Sequence, residues 1–366
     1  VKLKKIAGTI GYICFLTGAV VYLLIITNYL VKAGYFVQNQ FDIDERAHLP
    51  LFDEAGDLTE FWKEHEKSWN MRFEPYVHWK REPFEGTYLN VDENGHRVTV
   101  KPVLSDSAKK VFVFGGSTVW GTGVMDIHTI PSILQEELGP DFDVYNYGEM
   151  GWVAAQEFNM LLSLLSKGEI PDIVIFYDGG NDSFASVYSP AIPRDPQNVR
   201  NHEEALKTSY LYRMIQGSTL RKTLRRLTRN VNWDEVVRDS IDVNSMELIN
   251  LYNHHIKQVQ AIAEAYDFEV YFFWQPILLS QSRQMEEYEL EFINKTSEVR
   301  LDAEALIYEK AKEAFSSREE EGVFFIGDIF NEVEGPIYMD WIHVGEKGNR
   351  IIADEFIHRI PSLGDQ

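Results

Sequence analysis

The sequence of 366 residues holds a single cysteine, Cys14. No internal disulfide can form, and neither a disulfide-stapled nor a Cys-ligated zinc domain is available to it. Basic residues are scarce, 35 against 57 acidic ones, for a formal net charge of −22. A surface of that sign repels phosphate backbones and argues against a nucleic-acid binder. No low-complexity tract and no internal repeat is visible, which argues against a fibrous chain. With 45% hydrophobic and 13% aromatic residues the chain reads as globular. At ~150 residues per domain, its length allows two domains or one large domain with additions.

Charge is also absent from Ile6 through Val31, a run of 26 residues. At ~1.5 Å per residue a helix of that length exceeds the ~30 Å hydrocarbon core of a bilayer. Lys2, Lys4 and Lys5 precede the run, and Asp42, Asp44 and Glu45 follow it. The expected arrangement is a cytoplasmic tip (1–5), a transmembrane helix (6–31) and an extracytoplasmic remainder. A cleaved signal peptide would carry an apolar region of only ~7–15 residues and a small-residue cleavage site.

Beyond residue 100, short apolar runs alternate with helical patterns. The runs are 110–114, 143–147, 172–177, 268–273 and 322–326, several ending in glycine or proline. Near-continuous apolar runs are what strands covered on both faces look like. Between them, Val153, Phe158, Leu161, Leu162 and Leu165 share a helical face, as do Ile249, Tyr252, Ile256, Val259 and Tyr266. Leu301, Ala305, Tyr308 and Phe315 form a third face, and Ile351, Ile352 and Phe356 a fourth. Such alternation predicts an α/β domain on a parallel sheet, with ligands at the carboxyl ends of the strands. Residues 32–100 read as a polar, aromatic-rich lead segment packing on the domain of residues 101–366. Residues 184–245, with Pro190, Pro193 and Pro196, read as an insertion over the strand ends.

Three separated motifs carry the chemistry. Ser117, after Gly115 and Gly116, follows the first strand at a presumed helix start. Its hydroxyl and its N–H would both face the strand end, which suits a nucleophile and equally suits an N-cap. A phosphate loop needs a lysine that is absent here, and Val119 breaks the Gly-x-Ser-x-Gly elbow. Asn181, after Gly179 and Gly180, could donate an amide hydrogen bond to an oxyanion, or could simply belong to a turn. Asn181-Asp182-Ser183 is also a glycosylation sequon. Asp340 stands three residues before His343 and could orient its imidazole as a general base.

These blocks, in the order Ser, Asn, Asp/His at strand ends, resemble the SGNH (GDSL-type) hydrolase family over about residues 108–360. Gly115-Gly116-Ser117 corresponds to the first block, and Gly151 to the glycine of the second. Gly179, Asn181 and Asp182 correspond to the third block, and Asp340 with His343 to the last. Gly116 replaces the acidic residue of the first block. The lead segment resembles the one preceding membrane-anchored Gly-Gly-Ser-Thr variants. The resemblance implies a three-layer α/β/α fold with a five-stranded, mainly parallel, flavodoxin-like sheet. It implies a serine esterase with catalytic Ser117, Asp340 and His343, and an oxyanion hole from Ser117, Gly151 and Asn181. No metal or organic cofactor is called for. The expected substrate is an extracytoplasmic acyl ester, O-acetyl among the options, of a glycan or lipid. The same site could serve an acyltransferase, and the fold could serve a catalytically silent carbohydrate-binding or assembly module.

Two further features read as structural. His254 and His255 are adjacent and point to different helix faces, which is poor metal geometry. Arg221, Arg225 and Arg229 line one face of a basic run that also holds Lys222 and Arg226. That run suits either a solvated surface or docking on anionic lipid or glycan.

Overall fold

The computed structural model describes residues 12, 15–31, 33, 44–52, 58–188 and 233–364. The chain divides into two compact units, one of residues 1–43 and 201–231, the other of residues 44–200 and 232–366. In the first unit residues 15–31 are helical, with Phe15, Tyr22 and Leu23 exposed. Among the described residues no helix is long and apolar enough to cross a membrane. The cytoplasmic tip, residues 6–11, 13 and 14 of the expected span, the three prolines of the expected insertion and its basic run lie outside the described residues.

The second unit is built on a five-stranded sheet. Its strands are β3 (Lys109–Gly115), β4 (Phe142–Gly148), β5 (Ile173–Asp178), β6 (Glu269–Trp274) and β7 (Val323–Phe325). The order is β4-β3-β5-β6-β7, and all four pairings are parallel. The period-two alternation of a strand sends its side chains to opposite faces. Phe112, Phe114, Val174, Phe176 and Phe272 enter one core, and Val111, Val113, Ile173, Ile175 and Phe273 the other. Each such buried side chain is worth roughly 1.5–3 kcal/mol of transfer free energy.

Helices cover both faces. Tyr252, Ile256 and Val259 of the helix Trp233–Tyr266 and Ile307, Ala311 and Phe315 of the helix Glu298–Phe315 join the first core. Ile130, Ile133 and Leu134 of the helix Ile130–Leu138 join the second, with Ile352 and Phe356 of the helix Glu346–Arg359. The helix Ile130–Leu138 starts where its sequence says it should. Pro131 occupies its first turn, and the N-cap Thr129 hydroxyl accepts the Ser132 N–H at 3.2 Å. The expected helix faces are mostly buried, and one residue on each of three misses: Leu162, Ala305 and Tyr266 face solvent, while Met160, Leu164 and Ile307 are buried as well. Adjacent 3.6-period stripes differ by one residue in register, so periodicity alone does not separate them.

The lead segment forms a helix (Thr59–Lys67), an antiparallel hairpin of β1 (Met71–Glu74) and β2 (His78–Arg81), and bridged loops at 84–97. Phe61 and Trp62 pack with Val124 and Met339. Those two residues flank, in sequence, the two loops that supply Ser117 and Asp340.

Candidate active site

Every motif singled out in the sequence sits at the carboxyl end of the sheet. Gly115 ends β3, and Ser117 opens a one-turn helix, Ser117–Trp120. An added Cβ at Gly115 would meet the Tyr177 carbonyl oxygen at 2.8 Å, so only glycine lets the β3 end pass beside β5. The turn closes at Gly121, whose φ of 94° belongs to the left-handed region.

Ser117 Oγ lies 2.7 Å from His343 Nε2, and His343 Nδ1 lies 2.7 Å from Asp340 Oδ2. With Nδ1–H donating to the carboxylate, Nε2 is left to accept the serine proton. Asp340 Oδ1 also accepts the backbone N–H groups of Ile342 (3.1 Å) and His343 (2.9 Å). The His343 imidazole and those donors hold the Asp340 carboxyl down at about 2 against the cost of its burial. Ser117 and His343 are 226 positions apart, and the sheet brings them into contact.

Asn181 lies in the helix Gly180–Tyr188 that follows β5. Its amide nitrogen donates to the Trp152 carbonyl at 2.8 Å. An added Cβ at Gly116 would sit 2.2 Å from that nitrogen. Gly116, the departure from the family pattern, is therefore the position against which the Asn181 amide rests. The glycine that ends β4 and the one that follows it have different reasons to be there. A Cβ at Gly148 would strike the Trp120 backbone nitrogen at 2.4 Å, whereas Gly151 has room but takes φ of 70°. Among the described residues no acceptor takes the Gly151 or Ser117 N–H.

The lead segment supports this loop with groups the sequence reading did not find. The guanidinium groups of Arg81 and Arg97 lie on the Trp120 indole at 4.7 and 4.6 Å. Arg97 pairs with Asp126 and donates to the carbonyls of Gly121 and Val124. Arg81 faces the buried Glu149, which accepts the N–H of Arg81 and of Met150. Burial nonetheless pushes the Glu149 carboxyl up to about 7. Gln275, at the end of β6, accepts a hydrogen bond from Thr118 Oγ1 at 2.9 Å. His255 stacks on Phe158. Among the described residues no group of three or more His, Cys, Asp or Glu could hold a metal ion.

Asp182 turns inward beside Asn181. It accepts the Ala154 N–H at 3.2 Å, and with Glu157, Asp178 and Tyr252 it forms a buried acidic cluster. Burial and the Asp178 charge raise Asp182 to about 8, and Glu157 and Asp178 move in the same direction. A carboxyl raised in the folded state gives stability that is full below its unfolded value. That stability is lost as pH rises through the folded one. Melting temperature should therefore fall as pH climbs from about 4 to about 8, through the Asp182 titration. Asp182→Asn should flatten that fall, gaining about 2–4 °C over the wild type at pH 8–9 for each kcal/mol relieved. Parallel melting curves of the two proteins from pH 5 to 9 would remove the cluster as the cause.

A hydroxyl, an imidazole and a carboxylate in one hydrogen-bonded line at the end of a parallel sheet are the parts of a serine hydrolase. The chain belongs to the GDSL-like lipase/acylhydrolase family, whose sequence profile matches residues 111–356, and it is a serine ester hydrolase. Among solved structures, one similar to it is a carbohydrate acetylesterase family member from Sinorhizobium meliloti. It is 16% identical with a TM-score of 0.40, over 70% of this chain and 99% of that one. A member of the lipolytic protein G-D-S-L family from Veillonella parvula DSM 2008 is 12% identical with a TM-score of 0.38, over 70% and 99%. The acetyl xylan esterase AlAXEase is 14% identical with a TM-score of 0.37, over 69% and 99%. Comparison with curated proteins gives no match.

Proposed function

We propose that Ser117, His343 and Asp340 are the catalytic unit of a membrane-anchored esterase that cleaves an extracytoplasmic acyl ester of a glycan or lipid. The observation that carries the reading is the continuous path Ser117 Oγ–His343–Asp340, with both links at 2.7 Å. Ser117 Oγ attacks the ester carbonyl carbon as its proton passes to His343 Nε2. Asp340 stabilises the imidazolium. The Ser117 and Gly151 N–H groups and the Asn181 amide receive the oxyanion. His343 then protonates the leaving alcohol, and the C–O ester bond breaks to leave an acyl-serine. Water, deprotonated by His343, attacks that acyl group and releases the acid. An alcohol in place of water makes the same steps an acyl transfer. Ser117 is only 5% exposed, and this burial of the nucleophile favours a short acyl group such as acetyl. A fluorophosphonate probe should label Ser117 in the wild type, and acyl esters of graded length should show the fastest turnover at the short end. Absence of labelling in folded protein would leave the silent-module reading.

The anchor rests on the charge-free run Ile6–Val31 and the exposed apolar side chains of residues 15–31. The full-length protein should stay in the membrane fraction through carbonate extraction and keep its N-terminus. A reporter active only outside the cytoplasm should be active when fused after Gln366. A mature form starting near Ala33 would show cleavage instead.

A further inference from the structure

The triad aspartate has a second ionic neighbour. Arg46 lies in a short helix, Glu45–His48, at the start of the second unit. Its Nη1 is 3.6 Å from Asp340 Oδ2, the oxygen that also receives His343 Nδ1 at 2.7 Å. The guanidinium is not loosely placed. Nε and Nη2 fork onto Asp44 at 3.0 and 2.8 Å, and its carbon lies 4.4 Å over the buried Trp62 ring. One edge and one face are therefore fixed, and Nη1 is left toward Asp340.

We propose that Arg46 is a positioning residue which sets the basicity of His343 through Asp340, so that the lead segment completes the active site. This rests on the triad reading of Ser117, His343 and Asp340. The physical argument is one of competition. The Asp340 carboxylate stabilises the imidazolium that forms when His343 takes the serine proton. A guanidinium on the same oxygen draws on that charge and repels the imidazolium, so the doubly protonated ring is less favoured. Asp44 works the other way, neutralising much of Arg46. Among the described residues the groups facing the pair are few. Ser117 meets His343 on its Nε2 side. Backbone N–H groups of Ile342 and His343 meet Asp340 Oδ1. His65 of the helix Thr59–Lys67 interacts electrostatically with both Arg46 and His343, but burial and the charges of Arg46, Arg97 and Arg81 push it down to about 3. It is uncharged wherever the enzyme would work.

The pH dependence of kcat/KM for p-nitrophenyl acetate tests this in the full-length protein. Arg46→Gln should move the acidic limb about 0.5–1 unit to higher pH, with the high-pH plateau within about threefold of wild type. Arg46→Lys, which keeps the charge, should leave the limb near its wild-type position. Asp44→Asn, which keeps Arg46 and frees its charge, should move the limb to lower pH. Opposite shifts from two neighbouring substitutions are not what loosened packing gives. A limb unmoved in both Arg46→Gln and Asp44→Asn would overturn the proposal. So would an Arg46→Lys profile displaced as far as that of Arg46→Gln. If Ser117→Ala kept its turnover, the triad reading itself would fail. If Ser117→Ala is inactive and the limbs do not move, only the role of Arg46 falls.

Discussion

Ser117→Ala is expected to lower ester turnover by roughly 10⁴-fold or more, and His343→Ala by a similar factor. The two losses should not multiply. Ser117 Oγ and His343 Nε2 are 2.7 Å apart and act on one proton, so removing either disables the other. The double variant should therefore be about as slow as each single one. Neither change should unfold the protein. The Trp120 indole that ends the same helical turn keeps Arg81 and Arg97. Residual turnover from the oxyanion donors alone should remain above the rate in water. Purified Ser117→Ala with wild-type turnover would end the assignment, and a multiplicative double variant would mean that the two residues act in separate steps.

The sheet and the grouping of Ser117, His343 and Asp340 were legible in the sequence for a common physical reason. Strands covered on both faces must be apolar throughout, so Val111–Phe114 and Ile173–Tyr177 announce themselves, and both runs are almost wholly buried. Functional side chains at strand ends interrupt such runs with Gly, Ser, Asn and Asp, and the interruption is visible. What was not legible is the layer that holds Ser117, His343 and Asp340 in place. Arg46, Arg81, Arg97 and Glu149 sit in polar stretches without period, and their partners are far off in the chain. Arg46 meets Asp340, and Arg81 meets Glu149 68 positions away. Asp44 entered the sequence argument only as a charge after the apolar run, although its carboxylate is what fixes Arg46. Nothing local distinguishes a buried arginine of this kind from a solvated one. Aromatic neighbours are the usable signal: Trp62, Trp69 and Trp120 each carry a guanidinium on the ring.

Asn181 and Gly116 make the second large effect, and they should be read together. The Asn181 amide would meet a charge that exists only in the transition state. Removing one such donor costs about 10²–10³-fold in kcat, or ~2.7–4 kcal/mol. Ground-state binding barely uses it, so Asn181→Ala should leave KM almost unchanged. Gly116→Ala should reach a similar state without touching Asn181. A Cβ there would lie 2.2 Å from Asn181 Nδ2 and 3.3 Å from its Cγ, closer than van der Waals contact permits. The amide must swing away, and its 2.8 Å bond to the Trp152 carbonyl must break or lengthen. Gly116→Ala is thus expected to be slow in kcat, near normal in KM, and little slower still when combined with Asn181→Ala. Two losses that multiply would mean that Gly116 serves the loop by another route. A kcat within about threefold of wild type in Asn181→Ala, below the smallest loss an oxyanion donor gives, would take the amide out of the mechanism and leave the Ser117 and Gly151 N–H groups to hold the charge alone.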